Sequence, residues 1–153
     1  MANTYSQIYL QFVFAVRNRA NLIRSSNKEE IHRYITGLVT RRKSKLLAVN
    51  CMPDHTHLFV GFKPVMEISD LIKEIKVETN EFINGKKWMR SKFAWQDGYG
   101  AFSYSHSHIG AVMKYIQNQE LHHKKKTFRQ EYKQLLEKFK IPYEDKYLFE
   151  FFD

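Results

Sequence analysis

Leu46-Leu47-Ala48-Val49-Asn50-Cys51-Met52-Pro53-Asp54-His55-Thr56-His57-Leu58-Phe59-Val60-Gly61-Phe62 contains two apolar runs separated by one turn pair. Leu46–Met52 and His55–Phe62 are predicted as two strands joined at Pro53-Asp54, a pair that bends a chain tightly. In a strand, residues two apart share a face. Thr56, Leu58, Val60 and Phe62 therefore line one side, with the carbon surface that a packed helix layer requires. His55 and His57 stand together on the other side, expected to be the more open one. Two imidazoles at that separation can grip one divalent ion. The alternative, and the commoner outcome for a bare His-x-His, is a pair of solvated or hydrogen-bonded strand histidines.

Working outward, residues 5–16 alternate with a period of two. Ile8, Leu10, Phe12, Phe14 and Val16 share one face, and Tyr5, Gln7, Tyr9 and Gln11 the other, which predicts a strand packed on one side. Ser26 and Glu29 have capping-box spacing ahead of Ile31, Tyr34, Ile35, Leu38 and Val39, an amphipathic helix closed by Arg41, Arg42, Lys43 and Lys45. Downstream, Ile68, Leu71, Ile72, Ile75, Phe82 and Ile83 predict a second helix ending at Asn84-Gly85. A basic loop follows (Lys86, Lys87, Arg90, Lys92), then two short strand candidates, Phe93–Gln96 and Ala101–Tyr104, flanking Asp97-Gly98. A third helix is predicted from near Ser105 or Ser107 to about His122. A fourth carries Phe128, Tyr132, Leu135, Leu136 and Phe139, with Thr127 as N-cap. Strand, helix, strand, strand, helix, strand is the order of an α+β ferredoxin-like sandwich. The expected result is an antiparallel sheet with helices on one face and the other face available for a site, in one domain over residues 1–153.

Hydrophobic residues at 43% and aromatics at 15% are too many for a disordered chain. No apolar run approaches the ~20 residues of a membrane-spanning helix. Ile8–Val16 lacks the preceding basic region of a signal peptide. The single cysteine, Cys51, cannot form an internal disulfide and reads as a small core side chain. The expected location is the cytoplasm, without a membrane. The net charge of +9 with histidines neutral favours a polyanionic partner.

A metal held by two imidazoles is incomplete. Tyr115 and Gln119 lie four apart in the predicted third helix, with His122 on nearly the same line. Ile109, Val112, Met113 and Ile116 form the adjacent apolar face. Gln119 could lend an amide oxygen to an ion and Tyr115 its phenol beside it. A phenol of pKa about 10 is a poor nucleophile near neutrality, a handicap that a metal reduces by stabilising the leaving oxygen. A tyrosine edging the buried face of a helix is the plainer alternative. His106-Ser107-His108 straddles a helix start and reads as a polar helix opening. His122-His123-Lys124-Lys125-Lys126 is either a phosphate-facing end or a solvated terminus. Trp88 and Trp95 either stack bases or pack into the core.

Taken together, Met52-Pro53-Asp54-His55-Thr56-His57-Leu58-Phe59 resembles the HUH motif of the single-tyrosine transposases of bacterial insertion sequences, a family that includes the repeat-associated tyrosine transposases. The resemblance continues through Trp95-Gln96-Asp97-Gly98-Tyr99-Gly100-Ala101-Phe102-Ser103, into Tyr115-Ile116-Gln117-Asn118-Gln119 and His122-His123-Lys124. Tyr143-Glu144-Asp145-Lys146-Tyr147-Leu148 is similar to the family's C-terminal segment. Thr56 departs from the bulky hydrophobic residue usual between the histidines; it is β-branched and suits a strand.

This resemblance implies His55, His57 and Gln119 as metal ligands, Mg²⁺ or Mn²⁺ as the ion, and Tyr115 as the catalytic nucleophile. The implied activity is cleavage and rejoining of single-stranded DNA at hairpin-bearing element ends through a 5′-phosphotyrosine, in a homodimer where Tyr115 serves either its own subunit or its partner. A domesticated enzyme processing dispersed hairpin repeats would use the same chemistry. A non-catalytic nucleic-acid-binding module on the same sheet would instead show exposed aromatics on its central strands, with Phe59 and Tyr9 as examples. Arg41, Arg42, Lys43, Lys76, Lys86, Lys87 and Arg90 are the expected DNA-binding residues.

Overall fold

The structure is a computed structural model and describes residues 3–152. Four strands form its sheet: β1 (Tyr9–Ala15), β2 (Lys45–Cys51), β3 (His55–Gly61) and β4 (Gly100–Tyr104). Their order is β2-β3-β1-β4, and every neighbouring pair is antiparallel. The hairpin of β2 and β3 turns at Pro53-Asp54 as expected, and β1 inserts between β3 and β4. Five α-helices accompany the sheet: α1 (Lys28–Arg41), α2 (Ile68–Lys86), α3 (Ile109–Gln117), α4 (Gln119–His122) and α5 (Phe128–Lys138). This is the α+β, ferredoxin-like arrangement, two split β-α-β units sharing one sheet.

Alternation sorts the strands into faces. Leu10, Phe12, Phe14 and Val16 join Leu58, Val60 and Phe62 in one cluster with Ile31, Ile35 and Val39 of α1 and Leu71, Ile72, Ile75 and Ile83 of α2. Burying such a large aliphatic or aromatic side chain stabilises the fold by ~1.5–3 kcal/mol. The opposite face carries Gln11, Val13, His55, His57 and Phe59, and all five are fully buried. Here the expectation of a strand packed on one side, leaving an open histidine face, is corrected. Val112 and Ile116 of α3 pack on Ala48 and Phe59, and Phe128 of α5 lies flat on the His55 ring, centroids 3.9 Å apart. Helices of the second half of the chain thus roof the face that a two-residue period alone leaves bare.

Four local expectations also change. The start of α1 is a 3-10 turn over Ser25–Asn27, and Asn27 caps without a side-chain bond, so the Ser26/Glu29 capping box does not form. Helix α2 runs past Asn84-Gly85 to Lys86 and stops at Lys87, which takes a left-handed φ of 59°. Phe93–Gln96 does not make a hairpin with β4. It extends the ladder beyond the end of β1 through Trp95 opposite Val16 and the bonds Arg17 N to Ala94 O and Gln96 N to Ala15 O. The predicted third helix is broken at Asn118 (φ −98°, ψ 24°) into α3 and α4.

Other expectations hold. Thr127 caps α5 in a full capping box with Gln130. Cys51 is buried, and that burial lifts its thiol to about 11. Trp95 packs edge-on against Phe14 and donates its indole N–H to Thr79 Oγ1 at 2.8 Å, which settles it as a core residue. Among the described residues no helix is long and apolar enough to cross a membrane.

Candidate active site

His55 opens β3 directly after the turn, and the turn residue Asp54 puts Oδ1 2.7 Å from its Nδ1. His57, two residues on, has its Nδ1 2.8 Å from Gln11 Oε1 of β1. The orientation of Gln11 is set in turn, because its Nε2 donates to Tyr104 Oη at 2.8 Å. A carboxylate and an amide oxygen can only accept, so both rings carry hydrogen on Nδ1 and turn Nε2 toward the α4–α5 side.

What the two Nε2 atoms meet is the decisive feature. Glu131 Oε1, from α5, lies 3.1 Å from His57 Nε2 and 3.5 Å from His55 Nε2. Gln119 Oε1 lies 3.3 Å from His55 Nε2. His123 Nε2 approaches the same oxygens, at 2.9 Å from Gln119 and 3.1 Å from Glu131. Nitrogen lone pairs facing oxygen lone pairs repel unless a positive charge stands between them. His55, His57 and Glu131 offer ligand atoms all within 4.8 Å of one another, and all three residues are buried. Two imidazoles, a carboxylate and an amide oxygen form a donor set that suits a divalent cation. Asp54 and Gln11 behind the rings supply the outer bonds that hold such ligands in orientation. The residues fit a metal.

The ionisation of the cluster reflects the same demand for positive charge. Burial alone would lower the His55 pKa, but its bonds to Asp54 and Glu131 carry it up to about 9. Burial dominates at His57, whose pKa is lowered although Glu131 pulls it upward. Burial opposes the charge on Glu131, yet the surrounding His57, His123 and His55 hold its carboxyl far below the usual range.

Tyr115 donates its hydroxyl to Glu131 Oε2, the oxygen that also accepts from Gln119 Nε2 at 2.9 Å. Its ring stands edge-on to His57 at 5.9 Å between centroids. Burial and the neighbouring carboxylate raise the phenol pKa well above its ordinary value. α3 is anchored for this by Asn50 of β2, whose Nδ2 donates to Ile116 O at 2.9 Å.

The structure therefore brings His55, His57, Gln119 and Tyr115 into one cluster within one chain, although Gln119 and Tyr115 belong to two different helices. Sequence reasoning missed Glu131 and the role of His123. A signal for Glu131 existed: it shares the buried stripe of α5 with Phe128, Leu135 and Leu136, where a lone carboxylate needs a partner. The expected DNA-binding residues are placed elsewhere. Arg41, Arg42, Lys43, Lys76, Lys86, Lys87 and Arg90 belong to α1, α2 and the segments that follow them, across the sheet from Tyr115. Arg41 pairs with Glu78, Arg42 with Glu74 and Lys86 with Glu30. Lys76 Nζ donates to Gln96 O at 2.8 Å and to Gly98 O at 2.5 Å.

The fold is shared with two solved structures. A chain from Deinococcus radiodurans R1 assigned to the transposases aligns with a TM-score of 0.60 at 19% identity, over 78% of this chain and 95% of that one. A REP-associated tyrosine transposase, solved bound to a REP hairpin, aligns with a TM-score of 0.60 at 16% identity, over 80% of this chain and 73% of that one. Residues 4–119 match the family of IS200-like transposases, and the chain belongs to that family. No curated protein matches it significantly. The matched residues end at Gln119, so His123, Glu131 and all of α5 lie beyond them.

Proposed function

We propose that this protein cleaves and rejoins single-stranded DNA at the hairpin-bearing ends of a mobile element, with Tyr115 as nucleophile. The observation that carries the reading is the buried cluster of His55, His57, Gln119 and Glu131 with the Tyr115 hydroxyl against it. Tyr115 Oη bonds to phosphorus as the bond from phosphorus to the 3′ oxygen breaks, leaving a 5′-phosphotyrosine and a free 3′-hydroxyl. Glu131 Oε2 accepts the Tyr115 hydroxyl hydrogen bond and so orients the phenol toward the phosphate; the phenol proton passes to solvent as the bond to phosphorus forms, and the departing 3′ oxygen takes one up. Reversal by a 3′-hydroxyl of another strand rejoins DNA without a nucleotide cofactor. His55, His57 and Glu131, with the Gln119 amide oxygen, would hold Mg²⁺ or Mn²⁺. When bound, such an ion polarises the phosphate and stabilises the leaving oxygen.

Tyr115 lies beside its own chain's His57, which supports action within one subunit of the expected homodimer. A mixture of His57→Ala and Tyr115→Phe chains would regain activity only if the tyrosine serves its partner, and no regain is expected. The principal test incubates the protein with a labelled hairpin-ended single strand and Mn²⁺. A covalent adduct is expected, absent with chelator and absent in Tyr115→Phe; an adduct that persists in Tyr115→Phe would sink the assignment.

A domesticated repeat-processing enzyme shares this chemistry, and the REP-bound relative keeps it in view. Subterminal hairpins in the DNA flanking the gene favour the mobile element, and their absence favours the domesticated form. The non-catalytic module has less support, because Phe59 is fully buried under α3 rather than offered to bases.

A further inference from the structure

A cavity of about 250 Å³ lies between the end of β4, the outer side of α3 and α5. Tyr115 and the buried Glu131 form its inner end, and Val112 and Leu135, both buried, give it carbon walls. Two rings, Tyr104 and His108, and the methyl of Ala111 complete the sides, while Lys126 and Lys138 belong to its lining. The His108 ring is exposed but not free to turn, since its Nδ1 lies 2.8 Å from Ser105 Oγ. Lys126 is also held in place, by donation to Gln134 Oε1 at 2.7 Å.

We propose that this cavity receives one unpaired nucleobase of the strand whose phosphate Tyr115 attacks, a proposal that rests on the strand-transfer reading above. A nucleobase has two apolar faces and is tied on each side to a phosphate. The cavity offers the complement: carbon walls and pinned rings for the faces, and two ammonium groups for the flanking phosphates. An unpaired base is the one available to it, because a base within a duplex has both faces covered by its neighbours. Tyr115 lines the cavity, so the captured nucleotide is one adjacent to the attacked phosphate, and its stacking sets which phosphodiester is presented. His108 is then the stacking platform, a role distinct from the polar helix opening that its sequence position suggests.

The test uses the full chain with Mn²⁺ and hairpin-ended strands in which an abasic nucleotide is moved one position at a time across the cleavage site. Binding is read by fluorescence anisotropy and chemistry by the covalent adduct. One abasic position is expected to weaken binding by about ten-fold. Ala111→Trp, which fills the cavity from an exposed helix position, is expected to give the same loss on the intact strand and no further loss on that abasic strand. His108→Ala should lose most of the effect and His108→Phe recover it, as stacking requires and a charge does not. The proposal is overturned if no abasic position matters, if Ala111→Trp binds the intact strand normally, or if the two losses add. The strand-transfer reading is judged separately, by whether wild-type protein forms the Tyr115 adduct on the intact strand. A base effect without an adduct would leave the cavity as a binding site and remove the chemistry.

Discussion

At the scale of single residues, the two histidines owe their geometry to neighbours that are not themselves at the centre of the cluster. Asp54 and Gln11 hold the Nδ1 hydrogens, and the Nε2 lone pairs are aimed as a consequence. Asp54→Ala is expected to weaken Mn²⁺ binding by about 10- to 100-fold, the usual cost of losing an outer-shell partner, measured by titration of the ion. His55 also predicts a pH dependence. Its folded-state pKa of about 9 lies above the ordinary value of 6.5. In chelator, its proton therefore stabilises the fold fully below pH 6.5, and that contribution is lost as the pH rises through about 9. The difference in denaturation midpoint between wild type and His55→Asn should shrink across that window. Mn²⁺ affinity should rise across it, because the ion displaces a proton; a flat affinity would argue against His55 as a ligand. The pair itself was legible from a period of two. Its completion by Glu131 was not, since the two lie 76 positions apart and no local pattern links β3 to α5.

Elements show a sharper division. Strand alternation and helix periodicity located all four strands and the bodies of the helices, because those signals are set by which side chains each element buries. Ends and breaks depended on contacts from elsewhere. α1 begins without its capping box, and the helix bearing Tyr115 breaks at Asn118 where a continuous stripe was expected. The break carries Gln119 inward, to full burial against His55 and Glu131. α5 is the element with most to lose from a local change, because it delivers both Glu131 and the Phe128 ring. Thr127→Ala removes its cap and is expected to cost about 1 kcal/mol of stability, read by chemical denaturation. Gly100 of β4 is the complementary constraint: a Cβ there would sit 2.8 Å from Tyr132 Oη of α5. Gly100→Ala should destabilise the fold by pushing α5 off the sheet.

Across the whole molecule, a net charge of +9 says that a polyanion is favoured but not where it lies. Ion pairs with Glu78, Glu74 and Glu30 already engage Arg41, Arg42 and Lys86. Lys126 and Lys138 instead line the cavity that Tyr115 also lines. Affinity for a single strand should fall steeply with salt, with a slope of about 0.7 per phosphate neutralised. Lys126→Ala and Lys138→Ala are each expected to flatten that slope by about one such increment, whereas Arg41→Ala leaves it unchanged. Equal effects from both groups would place DNA on both layers of the molecule.

The sequence by itself determined the succession of strands and helices along the chain, the helix faces, the side of the sheet that carries His55 and His57, and, with the motifs around Tyr115 and Gln119, the family. These are properties of short stretches, in which side-chain period and local burial suffice. Only the tertiary structure decided that the histidine face is roofed, that Glu131 stands between the two rings and the tyrosine, and that His123 joins them. Those outcomes follow from how α4 and α5 fold back across β1 and β3, where the need to neutralise buried lone pairs selects the partners. The Leu46–Phe62 stretch thus specifies half of a buried cluster, and the second half of the chain supplies the carboxylate and the tyrosine hydroxyl that complete it.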